Sequence, residues 1–435
     1  MSTIVKLGKW GKSKLKNIID PGKKAEIGFT RRIENIKTAE RVIAMTFDDG
    51  PMDIPASPDR FNGKSLTDVL LDTLAKYNAK GTFDVIGDTS SNYPDTCLKV
   101  GTPSWGGVKY DHYPDFKKDS KGGAVHCDRL IKRLIDEGHQ ITNHGYSHII
   151  FGKKPFVYGK REYLGDFDKA YNDQKALHDL LKEKYGYTIT MARPPHYVDK
   201  MNGGYSSYDV YEAMEYQYMA ASFDGGGWLP SDNSDENVAL DAEVEAMIAP
   251  IRSKLKENPD FFSGQIIFQK DGYNMAKRTP VAFALGEQLK LFTEYGYKVV
   301  TVNELLNYSQ FKDVGREEPN YERYAALSQN HAIAFSDNTL RLDRIMTYGE
   351  LSMLLINRET YIAEHHKALK SNPKSSRYEP AFNYCVRNNL LPQNASINGE
   401  IEISKSDTEL FDKIPKNNTA REILNSIKIK KSGPS

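Results

Sequence analysis

From residue 41 to about residue 302, short apolar runs alternate with helical patterns, and this alternation constrains the fold more than any other feature of the 435-residue chain. The runs expected as strands are Val42 to Phe47, Thr82 to Ile86, His139 to Thr142, Thr188 to Ala192, Tyr216 to Phe223, Gly264 to Gln269 and Lys298 to Val302. Helical spacing marks Leu66 to Tyr77, Leu130 to Ile135, Phe167 to Leu181, Val238 to Leu255 and Val281 to Tyr295, most of them long enough to cover one side of a sheet. Such alternation builds a parallel α/β sheet. Seven units nearly close a barrel, and an open doubly wound sheet uses the same alternation; in both, functional loops lie at the carboxyl ends of strands.

The flanks read differently. Residues 1–40 form a basic amino-terminal extension in which Lys6, Lys9, Lys12, Lys14 and Lys16 occupy the place of a secretory apolar stretch, so a cytoplasmic location is expected. Ile4, Leu7, Leu15 and Ile18 would make one side of a basic amphipathic helix resting on a membrane surface; a loosely ordered tail is the alternative. No apolar run approaches the ~20 residues that span a bilayer. With 59 Lys plus Arg against 58 Asp plus Glu, the net charge of +1 offers no polycation for nucleic acid. Cys97, Cys127 and Cys385 are far apart and read as small hydrophobes. A principal domain is thus expected over 41–308, a separate carboxyl-terminal domain over 309–427, and a frayed tail over 428–435.

Chemistry gathers at the expected strand ends. Thr46-Phe47-Asp48-Asp49-Gly50-Pro51 presents two adjacent acids beside a Gly-Pro turn, so one carboxylate can bind a metal while its neighbour takes a proton; Asp-Asp-Gly is also common turn chemistry. In Asn143-His144-Gly145-Tyr146-Ser147-His148, two histidines four apart suit joint coordination of one ion, or are a surface pair at a helix start. Asp49 would complete a His-His-carboxylate set with open positions.

These motifs, followed in order by Arg193-Pro194-Pro195 and by Asp224 to Trp228, resemble those of the polysaccharide deacetylase family, carbohydrate esterase family 4, with its NodB homology domain. The resemblance covers roughly residues 41–305. It implies a distorted, partly closed (β/α)7 barrel, with a small, mainly helical carboxyl-terminal domain beside it, and a metal-dependent hydrolase that removes acetyl groups from N-acetylhexosamine units of a wall glycan or chitin-like polymer. By position, Asp49, His144 and His148 would bind a divalent ion, zinc first, with cobalt or manganese as alternatives. Asp48 would be the base that activates water, and Arg193 would orient it. The backbone N–H of His196, after the Pro194-Pro195 pair, would face the charged carbonyl oxygen, and Trp228 would wall the acetyl methyl.

The fifth family signature departs from the pattern. Ile267-Phe268-Gln269-Lys270-Asp271 has lysine where the family has a histidine that protonates the leaving amine, and Gly227 stands where an aspartate would support that histidine. Lys270 is the substitute acid, or it only fills the gap and leaves a carbohydrate-binding pseudoenzyme. The His196 side chain ranks second as donor. Asp84, in Gly81-Thr82-Phe83-Asp84-Val85, is another departure, and a different small amide is an alternative substrate.

Phe311-Lys312-Asp313-Val314, Ala334-Phe335-Ser336-Asp337-Asn338, Thr347 and Glu350 resemble a degenerate S-layer homology repeat, with a weaker copy through Tyr378 to Leu391. That resemblance implies binding of a cell-wall polymer, in tension with a cytoplasmic start; a helical domain for packing or dimer formation is the alternative.

Overall fold

The computed structural model describes residues 28–88, 121–153, 163–274, 278–308, 311–319 and 347–399, residues 276, 321, 322, 325, 339 and 340, and the backbone of short strands at 102–105, 108–110, 156–157 and 161–162. The basic stretch 1–27, the tail 428–435 and Phe335 to Asn338 lie outside the described residues.

Nine parallel strands make the sheet: β1 (Arg32–Ile33), β2 (Val42–Asp48), β3 (Thr82–Val85), β4 (Gln140–Asn143), β5 (Met191–Ala192), β6 (Gln217–Met219), β7 (Phe223–Asp224), β8 (Ile266–Lys270) and β9 (Lys298–Val300). Their order is β1-β6-β5-β4-β3-β2-β8-β7, with β9 paired to the start of β2. β2 is buried along its whole length, as a strand covered on both faces must be. Ile43, Met45 and Phe47 pack outward among the helices, Phe47 stacking on Phe83 at 4.9 Å. Val42 and Ala44, on the opposite parity, join Ile33, Met191, Met219 and Ile266 in a separate apolar plug. Burying each such large side chain contributes about 1.5–3 kcal/mol.

Five expected helices form: α1 (Leu66–Lys76), α2 (Asp128–Asp136), α3 (Phe167–Tyr185), α5 (Glu236–Glu257) and α6 (Pro280–Glu294). Side-chain caps start several of them: Ser65 accepts from Asp68 N, Asp166 from Lys169 N, and Asp235 from Asn237 N and Val238 N. The short helices α4 (Ser207–Met214) and α7 (Val302–Asn307) complete the layer around the sheet.

The expected strand Tyr216 to Phe223 is two strands. Gln217 and Tyr218 pair with Met191 and Ala192, whereas Phe223 and Asp224 pair with Ile267 and Phe268. One run therefore serves both ends of the sheet order, and bending between them links those ends into a distorted, partly closed barrel.

The amino-terminal boundary also needs correction. Residues assigned to a basic extension are built into the fold: Arg32 and Ile33 pair with Tyr218 and Met219, and Ile36 N donates to Gly264 O at 2.8 Å. Phe29 packs in a helical carboxyl-terminal unit made by α8 (Tyr348–Leu355), α9 (Arg358–Ser371) and α10 (Tyr378–Arg387), around Leu351, Leu355, Tyr361, Ala381 and Cys385. That unit docks on α4. His365 Nε2 meets Asp209 Oδ1 at 2.7 Å, Arg377 pairs with Glu212, and Arg358 Nη1 lies 3.0 Å from Glu215 Oε2. Cys127 and Cys385 are buried, their thiols facing the carbonyls of Pro51 and Ser352 at 3.6 and 3.7 Å. No helix among the described residues is long and apolar enough to cross a membrane.

Candidate metal and hydrolytic site

Parallel register sets the site at the carboxyl ends of the strands. Lys270 pairs with Asp48, Asp48 with Asp84, and Asp84 with Thr142, so four polar residues from β8, β2, β3 and β4 lie side by side in one row. Side chains across a parallel pair share a face, and this row has the parity of the plug below it.

One residue beyond the row, Asp49 turns the chain at φ 80°, a region that non-glycine residues adopt at a cost of ~1–3 kcal/mol and that recurs at functional sites. The turn brings Asp49 Oδ1 to 3.2 Å from His144 Nε2 and 3.0 Å from His148 Nε2. These three ligand atoms lie close enough together to share one ion. The other oxygen, Oδ2, is 2.6 Å from Lys270 Nζ. Gly50 follows because nothing larger fits: a Cβ there would stand 2.1 Å from Asp271 Oδ2.

The histidines are held from behind. His144 Nδ1 lies 2.8 Å from the Arg193 carbonyl and 2.7 Å from Asp84 Oδ2, and Asp84 Oδ1 accepts from Thr142 Oγ1 at 2.5 Å. The Arg193 carbonyl accepts from Nδ1 and turns the Nε2 lone pair toward Asp49, with the Asp84 carboxylate lying close beside that proton. The loop bearing His148 is anchored by Asp173 of α3, which accepts from Tyr146 N and Ser147 N at 3.0 Å each and from Ser147 Oγ. Burial pushes the Asp173 carboxyl up to about 6.

Asp48 is paired with Arg193, which is fully buried and also donates from Nη1 to Thr46 Oγ1 at 2.9 Å. Its Oδ2 is 3.9 Å from His144 Nε2. The neighbouring carboxyls titrate in opposite directions. Burial pushes Asp48 up to about 7 against the pull of Arg193 and His144. Burial also raises Asp49, but Lys270 and the two histidines outweigh it and hold the carboxyl well below its ordinary range. Opposed shifts in adjacent acids are what separate ligand and base roles require.

Pro195 is buried, and His196 follows at φ 56° with its ring centroid 6.1 Å from that of His148. Burial, then the neighbouring His148, holds the His196 imidazole well below its ordinary value. Trp228 Nε1 donates to Asp224 Oδ2 at 3.0 Å, and Gly226 N donates to Asp224 Oδ1 at 2.8 Å, so the last residue of β7 fixes the tryptophan loop. Gly227 has φ 86°, and a Cβ there would lie 2.8 Å from Met247 Sδ, so an aspartate here would be strained and would require the Met247 side chain to shift.

Sequence reasoning gave no role to Asp84 or Asp173. Asp84 carries a signal: Thr82-Phe83-Asp84 repeats Thr46-Phe47-Asp48, and the two triplets are paired residue for residue. Asp173 carries none, because its partner loop lies 26 and 27 residues away along the chain.

The polysaccharide deacetylase family model matches residues 35–219. A peptidoglycan-N-acetylmuramic acid deacetylase of Bacillus subtilis, PdaC, is 25% identical over 295 residues, 68% of this chain and 45% of that protein. A peptidoglycan-N-acetylglucosamine deacetylase of Bacillus cereus is 26% identical over 275 residues, 62% of this chain and 90% of that protein. This chain therefore spans less than half of the first relative and most of the second. Among solved structures, the chitin deacetylase of Colletotrichum lindemuthianum superposes with a TM-score of 0.41 at 16% identity, covering 63% of this chain and 90% of that one.

Proposed function

With residues 35–219 belonging to the polysaccharide deacetylase family, we propose that this protein hydrolyses the N-acetyl groups of N-acetylhexosamine units in a cell-wall glycan. The observation that carries this reading is Asp49 Oδ1 shared between His144 Nε2 and His148 Nε2 at 3.2 and 3.0 Å, beside an Asp48 clamped by Arg193. The names of the relatives, peptidoglycan deacetylases, support a wall glycan as the polymer.

Two imidazole nitrogens and one carboxylate oxygen are the donor set of a catalytic zinc site, so Asp49, His144 and His148 fit a divalent cation, zinc first, cobalt or manganese next. Such an ion, when bound, supplies Lewis acidity toward an amide carbonyl and makes nearby water more acidic. Asp48 accepts the proton of the attacking water, while Arg193 fixes the carboxylate through Oδ1 and leaves Oδ2 for that proton. The His196 N–H, past Pro195, donates to the carbonyl oxygen as charge develops there, and Trp228 encloses the acetyl methyl. Lys270 delivers the proton that the leaving amine needs, from the end of the strand beside Asp48.

The test is acetate release from N-acetylglucosamine oligomers. Activity is expected to vanish on chelation and to return with Zn2+ or Co2+. Stoichiometric metal binding with no acetate from any oligomer would overturn the hydrolase reading and leave a glycan-binding protein whose Lys270 holds Asp49 Oδ2.

A further inference from the structure

Two loops leave the strand ends on the Lys270 side: one after β7, which carries Trp228, and one after β8, which begins just past Lys270. Gly227 offers no side chain to join them. A single buried carboxylate one layer further out does. Glu243, on α5 and 3% exposed, accepts from Ser231 N at 2.7 Å, three residues past Trp228, and from Asn274 Nδ2 at 2.8 Å, four residues past Lys270. Arg278 closes the set with Nε at 3.1 and 3.0 Å from the two Glu243 oxygens and with Nη2 on Oε1.

Asn274 is itself the pivot of its turn, since its Oδ1 accepts from the backbone of Ala276 and Arg278 at 2.9 Å each. Nη1 of Arg278 returns to α5 through Glu236 Oε2 at 2.7 Å. One turn along α5 from Glu243, Met247 packs against Gly227, so the same helix face seats the Trp228 loop from below. A carboxylate this buried persists only when fully paired, and here its partners come from both loops at once. Moving either loop would strip it of a donor.

We infer that Glu243 is a positioning residue for glycan binding: it locks the Trp228 loop to the Lys270 loop and so sets the width of the cleft between them. The inference rests on the reading of Trp228 and Lys270 as substrate-facing groups. It assigns no chemistry to Glu243 itself.

The experiment compares wild type with Glu243→Gln, which keeps the shape and removes the charge. Kinetics use the N-acetylglucosamine pentamer, and zinc affinity is measured by chelator competition. KM is expected to rise about tenfold with kcat changed less than about twofold and zinc affinity unaltered, the split expected when binding walls loosen and reacting groups stay in place. The chain has three tryptophans; with Trp10→Phe and Trp105→Phe as background, Trp228 becomes the single reporter. Its quenching by acrylamide is expected to rise in Glu243→Gln. Should that variant not fold, Asn274→Ala, which removes both the Nδ2 donor to Glu243 and the Oδ1 acceptor of the Ala276 and Arg278 N–H groups and so frees the Lys270 loop, is expected to give the same two changes. Wild-type KM together with wild-type quenching in a folded variant overturns the inference, and so does a lowered melting temperature as the sole effect. If wild type releases no acetate, the hydrolase reading fails, and Trp228 quenching with pentamer affinity read from Trp228 emission decides the inference.

Discussion

Asp48 and Asp49 are adjacent in the chain and opposed in role, and the separation comes from their neighbours. Arg193 takes one oxygen of Asp48; two histidines and Lys270 take both oxygens of Asp49. Asp48→Asn keeps the shape but cannot take a proton, so turnover is expected to fall ~10²–10⁴-fold with zinc still bound, measured by acetate release and metal content side by side. Asp84 works one step back, on His144 Nδ1. Asp84→Asn is expected to weaken zinc binding about 10–100-fold, read by chelator competition with no turnover required. An unchanged affinity would leave the Arg193 carbonyl as the only group that orients His144. Asp48, Asp49, His144, His148, Arg193 and Lys270, which the structure brings together, each sit in a short motif of the sequence, whereas Asp84, Asp173 and Glu243 act through partners that are distant in sequence.

At the scale of elements, most strands were legible, but β1 at Arg32–Ile33 and strand partnership were not. Apolar runs located β2, β3, β4, β8 and β9 within a few residues, but nothing local says that Gln217–Met219 and Phe223–Asp224 serve opposite ends of one sheet. Helix α4 escaped notice because the face it buries includes Ser207, Asp209 and Glu212, so it shows no apolar stripe. The start of β4 carries a pH-sensitive contact. His139 is 4% exposed, its Nδ1 accepts from Gly81 N at 3.0 Å, and burial, then the nearby Lys80, lowers its pKa to about 4 from 6.5. The folded state therefore binds this proton less well than the unfolded one. The stability it contributes is complete above about pH 6.5 and is lost progressively as pH falls toward 4, a loss of ~3 kcal/mol across that window. Urea melts at pH 7 and pH 5 should show a smaller difference for His139→Gln than for wild type; equal differences would place the acid sensitivity elsewhere.

For the whole molecule, the helical unit and the barrel are tied by buried charge as well as by Phe29. Glu212 is 2% exposed and its partner Arg377 belongs to the other unit. Arg377→Met leaves that carboxylate buried beside an apolar group, which is expected to cost ~3–5 kcal/mol in denaturant unfolding while zinc affinity stays as in wild type. A change within about 0.5 kcal/mol would show that the contact is a surface pair. The helices at Tyr348–Leu355 and Tyr378–Arg387 coincide with the repeat-like segments, and their apolar faces are used against Phe29 and against each other.

The sequence by itself determined the parallel α/β class and the metal-type triad, because strand periodicity and motif chemistry are local and survive without knowledge of the partners; the barrel was an expectation from the family resemblance, since periodicity fits an open sheet equally well. Only the tertiary structure decided which oxygen of Asp49 meets which nitrogen, that Lys270 shares that carboxylate, that residues 28–36 belong to the fold, and that one split strand links the sheet ends. These depend on backbone approach and on register between segments more than 220 residues apart, as in the Thr46–Ile267 contact at a separation of 221. Such distances in space are set by the whole packed core, and no window of sequence contains them.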